Sequence, residues 1–497
     1  MTGHVAAIDL GATSGRVIIG TVGANELSID PVARFLNTPV HAADGMHWDI
    51  HGLFASVIEG LQAAFAKEPT IASIGVDSWG CDYGLVRGTE LLGIPFHYRD
   101  ERTSFGVSQV HAKTPHAELF TRNGLQFLPF NTVYQLAAER QGSILAHADS
   151  ILLIPDLINF WLTGRRFAER SNASTTGLLN VRTGQWDLAL AADDLVAPSQ
   201  LPPLIDAGTV IGSLSPDMSR TIGGAGLPSG FVAEAATRAV NVGSVNLGAV
   251  NVVAIGSHDT ASAVAAIPMD PTTSAYISCG TWGLVGVEIE KPCLTEEALA
   301  ANFTNEGGVD GRIRFLHNVM GLWLLSESVR QWERDGATIN LVDLLAAAEA
   351  ITVPVPVFDA NDGGFLHPGD MPSRIAEWFT ARGRIAPQSH AEFARSIIES
   401  LAEAFAQTVR RASELSGVPV RTIHMVGGGS QNALLCQRAA DRSGLPVLAG
   451  PVEATAIGNV LIQARTQGFI TGDLETLRGL VLTAFPPISY LPSTQGH

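Results

Sequence analysis

The stretch HVAAIDLGATSGRVIIGTV, residues 4–22, holds two runs of apolar β-formers, VAAIDLG and RVIIGTV, on either side of the small and flexible ATSG. Such runs around a turn rich in small residues read as a β-hairpin. The turn is also the first chemical candidate, because glycine lets backbone N–H groups approach an anion without side-chain obstruction, and Asp9 stands beside it. Working outward, a helical stretch near residues 53–66 is followed by ASIGVDSWG (72–80), a buried strand ending in glycine. Strands alternating with helices indicate an α/β protein.

Helix is expected to dominate residues 104–163, closing on LLIPDLINFWLTG, before the polar ASTTGLLNVRTGQWD (173–187). The Pro- and Gly-rich stretch 201–230 reads as irregular surface structure. The strand-and-glycine pattern restarts near Asn246 with VNVVAIGSHD (250–259) and SAYISCGTWGLVGVEI (274–289). This places the expected domain boundary there, with a first domain over 1–246 and a second over 247–497. Apolar Ile397, Leu401, Phe405 and Val409 recur at helical spacing, and Gly417 suits a C-terminal cap. RTIHMV then reads as a strand, GGG as a turn, and SQNALLCQRAADRSG as a helix with Ser430 as its N-cap.

A chain of 497 residues exceeds one ordinary core, so two domains are expected. With 46% hydrophobic and 16% charged residues, and no apolar run near the roughly 18 to 20 needed to cross a bilayer, the composition is that of a soluble protein. Asp9 and the glycines after it interrupt the apolar N-terminal stretch before a secretory core could form, making the cytoplasm the expected location. The net charge is −17 and only three of the 31 basic residues are lysines, which argues against a basic nucleic-acid face. An anionic ligand must then be held locally, by backbone N–H groups, arginine and a metal ion. The four cysteines (Cys81, Cys279, Cys293, Cys436) fit no CxxC metal pattern and read as reduced thiols. Composition leaves monomer and homodimer equally open.

Three glycine turns could cradle a polyphosphate: DLGATSGR (9–16), SCGTWG (278–283) and GGGSQN (427–432). GxxxxGK[ST] is absent, since the chain has no Gly-Lys pair, so a P-loop is not expected. A dinucleotide fingerprint nearly forms at Gly427, but Asn432 replaces the third glycine. Asp259, in GSHDTASAV, follows a buried strand and precedes small residues suited to a helix. Its carboxylate is either poised near a hydroxyl or a plain helix N-cap, and the local sequence leaves both open.

These segments resemble the FGGY carbohydrate kinases. The matches span nearly the whole chain in the expected order: DLGATSGR, GVDSWGCDYGLV, HYRDERT, IPDLINFWLTG, ASTTGLLN, GSHDTASAV, SCGTWGLVG, NFTNEGG, LHNVMGLWLLSE, VGGGSQNALL and AGPVEATAIGNV. SHDTASAV, YRDERT and GLWLL resemble the rhamnulokinase branch of that family. The resemblance implies a ribonuclease H-like fold in each half, as in actin and hexokinase, with ATP and sugar meeting in an interdomain cleft. It implies that Ala12, Thr13, Ser14, Gly15 and Arg16 wrap the ATP phosphates, with Thr281, Asn318, Gly428 and Asn432 completing the nucleotide site. It further implies that Gly80, His258, Asp259 and Thr260 contact the sugar, that Asp259 accepts the hydroxyl proton, and that Asp9 holds Mg²⁺ through water.

On this basis the expected reaction is ATP-dependent phosphorylation of the C1 hydroxyl of L-rhamnulose. L-fuculose or a related ketose is the rival substrate, and a sugar sensor or an ATPase switch the rival from another class. Where the family often has glutamine eight residues after the equivalent of Asn318, this chain has Ser326, which puts one nucleotide contact in doubt. Family members with a cysteine pair in the helix after GGG differ from this chain, which has only Cys436 there, so no bridge is expected. His258 is either a sugar partner or a buried ring that orients Asp259. Trp79 and Trp282 read as packing residues beside strand ends.

Overall fold

In the computed structural model, residues 2–192, 195–224 and 247–493 are described. The opening hairpin forms as expected, from the strands Gly3–Leu10 and Ser14–Gly23. The Gly11 amide donates to the Ser14 carbonyl at 2.9 Å to close it. Gly15 lacks a side chain where the Phe35 ring lies 2.2 Å from an ideal Cβ position. A third strand, Glu26–Leu36, extends the hairpin, and Ile71–Ser78 runs parallel to the first strand on its other side.

The chain divides into two compact units, and the division is discontinuous. The first comprises residues 1–268, 290–314 and 454–484, and the second residues 269–289, 315–453 and 485–497. A single cut at 246/247 does not describe this; that point borders residues 225–246, which lie outside the described residues, as does the 225–230 end of the expected irregular stretch. The physical reason is strand pairing: Asn251–Val253 lies parallel to Ile71–Ser78, with Asn251 opposite Ser73, and so joins the first unit's sheet. That sheet runs in the order Val210–Ser213, Asn251–Val253, Ile71–Ser78, Gly3–Leu10, Ser14–Gly23, Glu26–Leu36.

The helix Ile50–Lys67, capped by the Asp49 carboxylate on the Gly52 amide, buries Leu53, Phe54, Val57, Ile58, Leu61 and Phe65. The expected helical region 104–163 is interrupted by the strand Ser150–Leu153, which pairs with Tyr83–Arg87. Its SILL is a short apolar run whose periodicity does not distinguish strand from helix.

In the second unit, residues 315–320 lead the strand order Trp282–Ile289, Ser274–Cys279, Thr422–Val426, Val447–Ala449, Ile488–Tyr490. The helix His390–Ser416 begins with the Ser389/Glu392 capping box and ends on Gly417 at φ 77°, as its sequence indicates. The helix after GGG is shorter than expected. It spans Ala433–Ser443, and its N-cap is Asn432 rather than Ser430, because residues 428–431 form a 3₁₀ turn and the Asn432 side chain accepts from the Leu435 amide at 3.0 Å.

The helix Ala454–Thr466 returns to the first unit and lies on the helix Asp259–Ala265 with almost no clearance. A Cβ on Gly458 would stand 1.8 Å from the Ser262 carbonyl oxygen. Backbone cannot retreat as a flexible side chain can, so Gly458→Ala is expected to cost about 1–3 kcal/mol in denaturant unfolding. Because the displaced helix starts at Asp259, turnover should fall with it. An unchanged unfolding midpoint would contradict this close approach.

Candidate active site

The first unit gathers charge along one row of its sheet. Pairing sets Asp9 opposite Arg16 on one side and opposite Asp77 on the other. The Arg16 Nε lies 3.2 Å from an Asp9 carboxylate oxygen, and the Asp77 side chain is wholly buried. Burial, and then the negative charges of Asp9 and Asp259, push the Asp77 carboxyl well above its usual range. The Asn459 amide donates to Asp77 at 2.6 Å. Asn459 accepts from Gln463 at 2.7 Å, and Gln463 accepts from the Ser73 hydroxyl at 2.8 Å. The AIGNV segment thus sends a polar ladder from the returning helix onto the strand that carries Asp77.

Asp259 is the first residue of its helix, and His258 occupies the cap position without a side-chain cap bond. This removes the plain N-cap reading. The Asp259 carboxylate is about one-third exposed, accepts from the Thr260 hydroxyl at 3.0 Å, and has the His258 Nε2 at 3.6 Å. His258 forms a bridge with Ser78, and the Ser78 amide donates to the Ser257 carbonyl at 2.9 Å, so the segment before Asp259 continues the end of the Ile71–Ser78 strand.

Glu169 pins that segment from below. One of its oxygens accepts from the Ser257 amide at 3.0 Å, the Ser257 hydroxyl at 2.9 Å and the Ser171 and Asn172 amides at 3.0 and 3.3 Å, and it also takes the Ser171 hydroxyl. Burial raises the Glu169 carboxyl, opposed by these donors. Beside it, burial and then the Glu169 charge raise Asp156 well above the carboxylate range, favouring its protonated form. A second hub lies at Asp82, raised to about 6 by burial, which accepts from the indoles of Trp48 at 2.6 Å and Trp79 at 3.0 Å and from Gln135 at 2.8 Å. Trp79 is therefore a packing and hydrogen-bonding residue. Gly80 precedes Cys81, which takes φ 73° and whose amide donates to Thr175 at 3.1 Å.

The remaining residues fall in two places. Ala12, partly buried, and Thr13, exposed, form the tip of the hairpin, while Ser14, Gly15 and Arg16 already belong to its second strand. Thr281, Asn318, Gly428 and Asn432 lie in the second unit. There the two glycine bends are neighbours: Gly427, at φ 79°, and Gly429 would each bring a Cβ within 2.9 Å of Cys279, one residue before Gly280. Gly280 and Gly428 face open space, and the Leu322 amide donates to the Gly280 carbonyl at 2.9 Å. Ser326 is exposed on the helix Trp323–Arg334. All four cysteines are free thiols.

Among the described residues no group of three or more His, Cys, Asp or Glu is arranged to hold a metal ion. The oxygen-only character of Asp9 suits a hard cation bound through water, which needs no protein cage. No helix among the described residues is long and apolar enough to cross a membrane.

Residues 4–232 match the N-terminal domain, and residues 275–466 the C-terminal domain, of the FGGY family of carbohydrate kinases. The chain belongs to this family. It is a phosphotransferase acting on sugar hydroxyl groups, in a family whose sugar kinases use ATP, and its fold is the two-domain, mixed α/β fold of these kinases. The sensor and ATPase-switch alternatives fall with that membership. This FGGY kinase is 38% identical to the rhamnulokinase of Pectobacterium atrosepticum over 99% of its own length and 94% of the relative's. It is 36% identical to that of Bacteroides thetaiotaomicron, over 98% and 95%. Among solved structures it resembles the gluconate kinase of Lactobacillus acidophilus, with TM-score 0.76, 16% identity and coverage of 99% and 94%. It also resembles Plasmodium falciparum glycerol kinase with ADP, with TM-score 0.73, 13% identity and coverage of 97% and 92%.

Sequence reasoning did not single out Asp77, Asp82, Glu169, Glu306, Arg314 or Asn459. Asp77, Asp82 and Asn459 sat inside quoted motifs as polar residues in apolar company, and Glu306 sat in the polar NFTNEGG. Glu169 and Arg314 carried no local signal.

Asp77 gives a pH test. Its folded-state pKa lies above the unfolded value, so its contribution to stability is lost as pH rises from the ordinary carboxylate range through the folded pKa. Asp77→Asn removes that titration and keeps an acceptor for Asn459. Melting temperatures of the two proteins should diverge in favour of the variant as pH rises from 5 to about 8. A difference independent of pH would contradict the shift.

Proposed function

We propose that this kinase transfers the γ-phosphoryl group of ATP to the C1 hydroxyl of L-rhamnulose, giving L-rhamnulose 1-phosphate and ADP, in the cytoplasm. The observation that carries the reading is the state of Asp259, a partly exposed carboxylate that heads its helix without capping it and is oriented by Thr260 and His258. The curated relatives named rhamnulokinase support the choice of sugar.

In this mechanism Asp259 takes the proton of the C1 hydroxyl as its oxygen attacks phosphorus. The Thr260 hydroxyl fixes the carboxylate rotamer, while His258 and the Gly80 turn hold the sugar. The backbone of Ala12, Thr13, Ser14 and Gly15, with the Arg16 guanidinium, receives phosphate oxygens, and Arg16 also balances the Asp9 charge. The open faces of Gly280–Thr281 and Gly428 admit the nucleotide in the second unit, with Asn318 and Asn432 at its edges. Asp9 would hold Mg²⁺ through water, and the ion when bound neutralises charge on the phosphate oxygens. Ser326 stands where the family often has a glutamine and is assigned no nucleotide contact.

Asp259→Asn should lower turnover by roughly 10² to 10⁴-fold while calorimetry shows ATP bound as before. Near-full turnover would remove the base from this role. Substrate choice has its own test, because pockets discriminate by a few hydroxyl contacts. In a panel of ketoses with coupled ADP detection, L-rhamnulose should give the highest kcat/KM, and a higher value for L-fuculose would reassign the sugar.

A further inference from the structure

Arg314 is the most deeply buried cation near the proposed sugar site, with no exposed side-chain surface. Its Nε donates to the Gly307 carbonyl at 2.9 Å, its Nη1 forms an ion pair with Glu306 at 3.1 Å, and its Nη2 lies 2.9 Å from the His258 Nδ1. A Glu306 oxygen also stands 3.3 Å from that Nδ1. On the far side of the ring, Nε2 faces the Asp259 carboxylate at 3.6 Å, and the His258 amide donates to Ser171 Oγ at 3.3 Å.

A guanidinium has five N–H donors and no acceptor, and it keeps its proton throughout the working pH range. At 2.9 Å it can meet Nδ1 only if that nitrogen presents a lone pair. An Nδ1–H directed at Glu306 would bring its hydrogen against the Arg314 N–H group, whereas Glu306 already has its opposite charge in Arg314. With Nδ1 an acceptor, the neutral ring carries its hydrogen on Nε2, on the side of Asp259.

We infer that Arg314 is a positioning residue that holds His258 as the Nε2–H tautomer, so that the ring offers the ketose a hydrogen-bond donor beside the base. This rests on the reading of His258 as a sugar contact. The chemistry divides the two neighbours: Asp259 accepts from the hydroxyl that attacks, and His258 donates to an oxygen lone pair of the sugar next to it. A ketose supplies such an oxygen on C2, adjacent to the C1 hydroxyl. Reversing the tautomer would put a ring acceptor and a carboxylate side by side, and the site would lose its means of binding that oxygen.

The test is the protonation of the two ring nitrogens in ¹⁵N-histidine-labelled full-length enzyme without ligand, with the His258 signals identified by their loss in His258→Gln. The wild-type ring should show a bare Nδ1 and a protonated Nε2. A protonated Nδ1, whether in the other tautomer or an imidazolium, overturns the inference. In Arg314→Met the proton should move to Nδ1, toward Glu306, and KM for L-rhamnulose should rise roughly tenfold, the loss of about one hydrogen bond, while KM for ATP stays within about twofold. Arg314→Lys retains a donor and should recover part of the loss. An unmoved ketose KM in Arg314→Met overturns the donor role, and should that variant fail to fold, the wild-type spectrum decides alone. The spectrum needs no turnover, so it stands apart from the proposed reaction, whose failure would appear as wild-type enzyme that phosphorylates no ketose.

Discussion

The geometry around Asp259 depends on one buried carboxylate, Glu169. A charge removed from water is costly unless donors meet it, and one Glu169 oxygen finds its donors in the two segments that must be joined. Ser171 and Asn172 belong to its own chain neighbourhood, while Ser257 is the residue before His258. The price of burying the carboxylate is thus met by bonds that also fix where the Asp259 helix begins. Beside it, burial and then the Glu169 charge push the Asp156 carboxyl well above its usual range.

Above that anchor the sheet imposes a like-charge problem. Parallel and antiparallel pairing set Asp77, Asp9 and Arg16 side by side, and the field of Asp259 reaches the same row. Arg16 offsets part of the repulsion and the Asn459 ladder binds Asp77 in place. A site that concentrates carboxylates at a sheet end, balanced by so few cations, is suited to receive something positive with the phosphates. This is the electrostatic sense of the proposed Asp9–Mg²⁺ relation.

Much of the fold was legible in local pattern. The hairpin around ATSG, the long helix with its Ser389 cap and Gly417 end, and the strand–GGG–helix sequence all declare themselves through turn chemistry and spacing. The domain partition was not legible, because the assignment of Asn251–Val253 and of residues 454–484 to the first unit depends on which distant strand or helix each one meets. The same limit explains the site. Asp259 and His258 stood out because they interrupt a run of small residues after an apolar strand. Arg314 looks from its sequence like one polar position in an alternating strand, and only the structure places its guanidinium on His258. The true cap at Asn432 shows a smaller version of the problem: Ser430 and Asn432 are both good caps, and the 3₁₀ turn between them decides.

The central claim is that the Asp259 carboxylate meets the hydroxyl that receives the phosphoryl group. A crystal structure of the enzyme with L-rhamnulose and a non-hydrolysable ATP analogue measures this directly. The account predicts an Asp259 oxygen within about 2.6–3.2 Å of the C1 oxygen, with that oxygen facing the γ-phosphorus. A C1 oxygen bound elsewhere, with Asp259 turned to solvent or to a different hydroxyl, would contradict it.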